Sequence, residues 1–297
     1  MKDAEILERV EKLRVWQRHG ERAPHKPLLL LLALGSLSHD EITIPFETVE
    51  KKLGTLLEEF GPSRPRQEPA LPFWHLQSDK LWEVVADAEL PLGKNGKRPT
   101  TTDLHRLHAV GRFPADIERR LRSSPRLVHE ISDRVLEAHF PESLHSDILD
   151  AVGLSRELET VTRRRRDPEF RRRILDCYGY RCAVCGLDMR LRNMTVALEA
   201  AHIKWHQAGG PDEEPNGLAL CSLHHKVFDL GAFTVVDGRV LVSELVNGDA
   251  ECEHVLLRHH GGELRRPVRL DSGPKAEFLG WHRVQVFKER PRPMPAT

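Results

Sequence analysis

The sequence predicts an α+β protein of two domains: a mainly helical first domain with a small β-hairpin, and a second built as strand, loop, strand and helix. Three observations carry this. At 297 residues the chain is long enough for two separate cores. Its first half shows apolar residues at helical spacing, interrupted by proline-rich and basic loops. Its second half places Cys182-x-x-Cys185 ahead of a short apolar strand and Cys221-x-x-His224 behind another, so two pairs of soft ligands bracket one compact unit.

In the first half, Ile6, Leu7, Val10, Leu13 and Trp16 predict a helix over Asp3 to His19. GERAPHKP breaks it. PLLLLLALGSL, apolar on all sides, predicts a buried helix from Pro27, a favoured first-turn residue. Arg22, His25 and Lys26 stand at its mouth, where a helix N-terminus favours anions. A third helix spans Phe46 to Phe60 and stops at Gly61. After a proline-rich basic loop, Phe73 to Gln77 facing Leu81 to Val85 across Ser78-Asp79-Lys80 reads as a hairpin. GKNGKRP forms a second basic loop, followed by helical patterns around Thr102–Val110, Pro114–Leu121, Arg126–Phe140 and Ser143–Val152.

The boundary falls in SRELETVTRRRRDPEF. This gives a first domain over 1–153, a basic linker over 154–166, a second domain over 167–290 and a disordered tail over 291–297. The Arg163–Arg166 run and Arg171–Arg173 read as solvated faces or as contacts for a polyanion. Pro168 starts a helix through Tyr178. The following strand ends on His202, a Gly-Gly turn and polar loop carry Asn216, and an apolar strand runs into Cys221.

The ligand pairs predict one structural zinc held by Cys182, Cys185, Cys221 and His224. His225 and Asp229 are four residues apart, so on a helix both point the same way, as two ligands of one ion must. A sparse N/O site of this kind suits Mg²⁺ or Mn²⁺. His206 reads as an ordinary loop histidine, and His259-His260 as exposed loop residues. AFTVVDGRVLVS predicts a hairpin turning at Asp237-Gly238, and Phe278, Leu279 and Trp281 lie on a C-terminal helix that caps the domain.

Composition excludes less than it permits. Lys plus Arg and Asp plus Glu number 45 each, so net charge argues neither for nor against nucleic acid. Of five cysteines three join the zinc set, leaving Cys177 and Cys252 as thiols, which fits a reducing cytoplasm. MKDAEILERVEK is a polar amphipathic start and not a signal peptide, and the apolar run Pro27–Leu34 is too short to cross a bilayer.

The order His202, Asn216, His225, within the phrases AAHI, NGLALC and HHKVFD, resembles the HNH endonucleases of the ββα-metal fold in their McrA-type branch. The resemblance implies a metal-dependent phosphodiester hydrolase with His202 as general base, Asn216 orienting it, and His225 with Asp229 on the catalytic ion. An imidazole suits the base because its pKa lies near neutrality. Ala201 departs from the family, which often has a further metal ligand there. RAPHKPLLLLLALG and LPFWHL resemble the sulfur-binding domain that some McrA-type proteins place ahead of the nuclease. That implies double-stranded DNA bearing a phosphorothioate as partner, with Leu71 and Pro72 as apolar wall, Phe73 and His75 beside them, and His25-Lys26 on the modified phosphate. Arg22 and Lys97-Arg98 are further candidates for phosphate or base-edge contacts.

The physics suits the assignment. Sulfur in place of a phosphate oxygen is larger, softer and weakly hydrated, so an apolar pocket accepts it, whereas an oxygen there would lose hydrogen bonds at about 1–3 kcal/mol. The reading is thus a modification-dependent restriction endonuclease, with a homodimer serving double-strand cleavage. Two others stay open: an HNH endonuclease that reads another DNA mark or sequence, and a zinc-stabilised DNA-binding regulator with a degenerate nuclease core, which Ala201 would suit.

Overall fold

The computed structural model describes residues 1–15, 23–63, 68–93, 98–154, 168–268 and 273–294. Trp16, Arg22, Lys97, Arg163–Arg166 and the last three residues lie outside them. The chain forms two compact units, Met1–Leu158 and Glu159–Thr297.

The first unit is helical with one small sheet. Helix α1 (Asp3–Glu11) is shorter than its apolar spacing predicts. Beyond Lys12 the backbone leaves the helix, and the Arg14 amide donates to Asp79 Oδ1 at 2.9 Å, a long-range contact that local periodicity does not encode. Helix α2 (His25–Ser38) is buried from Pro27 to Leu37, as its uniform apolarity requires. At Gly35 a Cβ would lie 1.8 Å from the Val152 carbonyl oxygen, so this mid-helix glycine admits another backbone. Strand β1 (Thr43–Pro45) leads into α3 (Phe46–Phe60), which ends at Gly61 as predicted.

The predicted hairpin at Phe73 to Val85 does not form. Residues Ala70–His75 are helix α4, and Leu76–Asp79 continue as a 3₁₀ turn. Pro72 sits in the first turn of α4, where its missing N–H has no helical partner to lose. Only β2 (Glu83–Val85) of the expected pair is a strand. After α5 (Thr101–Arg106), β3 (Val110–Arg112) pairs antiparallel with both β1 and β2 in the order β1-β3-β2. Helices α6 (Ala115–Arg122), α7 (Pro125–His139) and α8 (His145–Ala151) close the unit where helical patterning placed them.

In the second unit α9 (Pro168–Cys177) is followed by a small hairpin of β4 (Met189–Leu191) and β5 (Met194–Val196). Then β6 (Leu198–His202) pairs antiparallel with β7 (Gly217–Cys221), with His202 opposite Gly217 and Leu198 opposite Cys221. Cys221 caps α10 (Ser222–Asp229). This is the predicted strand–loop–strand–helix. Strands β8 (Phe233–Val236) and β9 (Arg239–Val242) form the expected hairpin, with Asp237 and Gly238 both at positive φ as a two-residue turn of this hand requires.

After α11 (Ala250–Val255), α12 (Ala276–Gln285) packs on β8. Its fully buried His282 stacks on Phe228 at 3.7 Å and bonds Thr234 Oγ1 and the Phe228 carbonyl. Phe278 joins the core and Leu279 packs against it, while the Trp281 ring stands 6.0 Å from Trp205. Two expectations are corrected. His260 is buried, its Nδ1 accepting from the Val242 amide, because the loop folds back along β9. The expected disordered tail begins too early, since Arg292 donates from its backbone to Val242 and from its guanidinium to Val246. Among the described residues no helix is long and apolar enough to cross a membrane.

Candidate functional site

Local sequence builds the metal cluster. The Cys182 amide bonds the Leu187 carbonyl and the Gly186 amide bonds the Cys182 carbonyl, which curls the Cys-x-x-Cys turn. The Ala183 amide then bonds Ala219 of β7, so that turn lies beside the strand that delivers Cys221. His224, in the first turn of α10, points Nδ1 at Cys221 Sγ (3.0 Å) and Cys182 Sγ (3.7 Å). The ligand atoms of Cys182, Cys185, Cys221 and His224 all lie within 4.8 Å of one another.

Their electrostatics ask for a cation. Contact with Cys185 and Cys221 pushes the Cys182 thiol far down, while contact with Cys182 pushes Cys221 far up: crowded sulfurs resist a second negative charge. Burial opposes a charge on His224, yet Cys182 and Cys185 outweigh it and lift the imidazole to about 9. Three sulfurs and one imidazole, mostly buried, suggest a structural metal.

The loop between β6 and β7 is held by Asn216, which is fully buried. Its Nδ2 donates to the carbonyls of Lys204 and Pro211, and its Oδ1 accepts from the Lys204 amide at 2.8 Å. At Gly210 a Cβ would lie 1.9 Å from the Lys204 carbonyl oxygen, so the clamp needs a glycine there. The clamp fixes the exit of β6, where His202 stacks on Phe170 of α9 at 4.2 Å and 14°. His202 Nε2 lies 2.7 Å from Asp212 Oδ1. When that nitrogen donates to the carboxylate, the lone pair of the neutral ring is on Nδ1.

On α10, His225 and Asp229 face each other as their spacing predicts, Nε2 to Oδ2 at 3.2 Å, both buried. Trp205 Nε1 donates to the other Asp229 oxygen at 3.1 Å. His225 Nδ1 meets Glu199 Oε2 at 2.6 Å, and Ser222 donates to the second Glu199 oxygen. Burial disfavours a charged His225, but Asp229 and Glu199 together raise it to about 9, so this pocket favours positive charge. Ala201, which stands where a further ligand would be expected, is fully buried in the core.

Glu199 and Asp212 are the polar partners that sequence reading overlooked. Glu199 shares a strand face with Ala201, two residues on, a signal that period-two reading could have used. Asp212 carried none, since its approach to His202 depends on the folded loop. Arg171–Arg173 are engaged within the chain rather than displayed as a row: Arg171 donates to the Leu198 carbonyl, Arg172 pairs with Glu169 and Asp176, and Arg173 donates to the Asp212 carbonyl.

In the first unit the recognition candidates cluster at the start of α2 and on α4. Lys26 Nζ sits 2.5 Å from Asp79 Oδ2, whose side chain is 2% exposed, so the lysine is held by a buried carboxylate. Partial burial and the charges of Lys26 and Arg98 push the His75 pKa down, placing the three in one electrostatic neighbourhood. Arg98 also lies 3.8 Å from Glu68. His25 is half-buried in the first turn of α2. On α4, Leu71 and Trp74 are half-buried and His75 exposed, at the spacing of one helix face, while Pro72 is buried. Phe73 is corrected: its ring is fully buried against Phe46 and Trp82 and belongs to the core. Trp74, missed in the strand reading, shares the outer face instead.

Comparison with known proteins falls on the same two units. Residues 3–157 match the family described as ScoMcrA-like, DNA sulfur-binding domain, and residues 182–236 match the family described as HNH endonuclease. Among solved structures, the sulfur-binding domain of ScoMcrA with phosphorothioated DNA is 28% identical, with a TM-score of 0.44 over 50% of this chain and 94% of that one. The corresponding domain of SprMcrA with phosphorothioated DNA is 20% identical, with a TM-score of 0.43 over 52% and 95%. The Type IV phosphorothioation-dependent restriction endonuclease ScoMcrA is 26% identical, with a TM-score of 0.42 over 51% of this chain but only 35% of that one. No functionally curated protein matches. With its first family match extending over more than half of its length, the chain belongs to the ScoMcrA-like DNA sulfur-binding family, and it carries an HNH endonuclease domain behind that module.

Proposed function

We propose that this protein is a modification-dependent restriction endonuclease that binds phosphorothioated DNA through its first unit and hydrolyses nearby phosphodiester bonds with its second. The observation that carries the reading is the union, in one chain, of a sulfur-binding family match with an HNH match whose His202, Asn216 and His225 fall on β6, its loop and α10.

His202 takes the proton of the attacking water on its ring nitrogen. Stacking on Phe170 and the Asp212 contact hold the ring. Asn216 keeps the loop shut beneath it. His225 and Asp229 offer one imidazole nitrogen and one carboxylate oxygen to a hard divalent cation, Mg²⁺ or Mn²⁺, in a pocket that favours positive charge. Such a cation supplies charge stabilisation for the phosphorane and leaving oxygen. Glu199 orients His225 from its far side. Cys182, Cys185, Cys221 and His224 hold zinc, stapling the turn before β6 to the start of α10.

In the first unit Leu71 presents apolar surface to sulfur with the buried Pro72 beside it in α4, and His25, Lys26, His75 and Arg98 meet the anionic backbone. Two copies would cut both strands, in the cytoplasm and on incoming marked DNA.

The test incubates full-length protein and Mn²⁺ with phosphorothioated and ordinary plasmid. Cleavage is expected on the modified plasmid alone, with His202→Ala binding normally and cutting about 10²–10⁴-fold more slowly. Equal cutting of both plasmids would leave an HNH nuclease that reads another mark or plain sequence. Parent-rate cleavage by His202→Ala would remove it as the base.

A further inference from the structure

Beside the zinc cluster, one other group of three metal-ligating side chains converges among the described residues: His202, His206 and Asp212. One ligand atom from each lies within 4.8 Å of the others. His202 Nε2 is 2.7 Å and His206 Nδ1 3.8 Å from the same Asp212 oxygen, Oδ1. Ligands held about 2.1 Å from a tetrahedral ion stand roughly 3.4 Å apart, so these two separations bracket the edge that such an ion imposes.

The frame that presents them is rigid. His202 ends β6, His206 opens a one-turn 3₁₀ helix, and Asp212 follows Gly209-Gly210. Asn216 ties Lys204 to Pro211 across this loop, the Gly210 amide bonds the Trp205 carbonyl, and Arg173 donates to the Asp212 carbonyl. The donors therefore need little rearrangement to close on an ion. Side-chain exposure rises from 15% at His202 through 38% at Asp212 to 69% at His206, so the group opens to solvent and an ion can enter.

We infer that His202, His206 and Asp212 form an inhibitory site for a borderline divalent cation, with zinc as the expected occupant. Two imidazoles and one carboxylate prefer such an ion to Mg²⁺. The inhibition follows from the ring itself and rests on the assignment of His202 as general base. A neutral imidazole has one basic lone pair. An ion on Nε2 takes it, the ring proton moves through water to Nδ1, and His202 can no longer accept a proton from water. Excess zinc then stops cleavage without touching the structural cluster or the His225–Asp229 pair.

The experiment uses full-length protein with its structural zinc in place, compared with His206→Ala. His206 has no part in the hydrolysis, so the variant cleaves at the parent rate in Mg²⁺ alone. Zinc titrated against a chromophoric chelator is expected to show a second ion on the parent, and His206→Ala to weaken it about tenfold or more. Zinc added to the Mg²⁺ cleavage assay is expected to inhibit the parent, with the half-inhibitory concentration rising by the same factor in the variant. Absence of a second ion, or equal second-ion binding by both proteins, overturns the site. A second ion that depends on His206 but leaves cleavage undiminished overturns the inhibition and, separately, the role of His202 as base.

Discussion

The two units display their sites by opposite means. In the second, most candidate side chains come in short spacings that secondary structure alone converts into proximity: Cys182 with Cys185 on one turn, Cys221 with His224 across a helix start, His225 with Asp229 along α10. In the first, they come from α2, α4 and the loop at Arg98, and meet only when those elements pack. A site written in local spacing tolerates a rough idea of the fold. One assembled from distant elements depends on each element being assigned correctly.

The largest expected effect tests the locally written cluster. Cys221→Ser should remove the structural metal and with it most of a contribution on the order of 10 kcal/mol that such ions make to folding. Thermal scans should lose the transition of the second unit while that of the first persists, with metal analysis falling by one ion. A variant that keeps its second transition would show that β6, β7 and α10 hold together without the staple.

Next in size is the pair that joins the first unit's distant parts. Lys26→Ala leaves the buried Asp79 carboxylate with the Arg14 amide but no cation beside it, and should cost roughly 3–5 kcal/mol in denaturant unfolding. Adding Asp79→Asn should restore most of that. The double variant, folded, then reports on DNA: its slope of log affinity against log salt should fall by about 0.9 if Lys26 also meets a phosphate. An unchanged slope would confine Lys26 to holding the fold.

The smallest effect compares the units by pH. Burial pushes His139, at the end of α7, down to about 4. Its folded pKa is below its unfolded one, so the unfolded chain takes the proton first. Its contribution is intact above about 6.5 and is lost as pH falls from there towards 4, by at most about 1.4 kcal/mol per pH unit. His139→Gln should flatten the pH dependence of the first unit's unfolding midpoint over that range. Parallel curves for parent and variant would mean that His139 is hydrated in the native state.

One stretch shows how much turned on local period. ALPFWHL carries apolar residues at nearly every position, and a strand reading puts Leu71, Phe73 and His75 on one face. As helix α4 it turns Leu71, Trp74 and His75 outward and sends Phe73 into the core against Phe46 and Trp82. The change of period therefore exchanged one aromatic for another on the outer face of this segment. A run this short and apolar has no periodicity strong enough to choose, and the choice came from packing against α2 and α3.

By itself the sequence determined the two-domain α+β plan, the buried α2, the hairpin at Asp237-Gly238, the convergence of Cys182, Cys185, Cys221 and His224, and the order of His202, Asn216 and His225 along strand, loop and helix. Each rests on spacings of four residues or fewer, on uniform apolarity, or on a motif read whole. Tertiary structure alone decided that Glu199 would meet His225, that Asp212 would close on His202 and His206, that Asp79 would hold Lys26, and that His260 would be buried. A carboxylate reads the same in sequence whether it faces water or an imidazole. What it does is set by the charge that folding brings beside it and by how much solvent folding takes away.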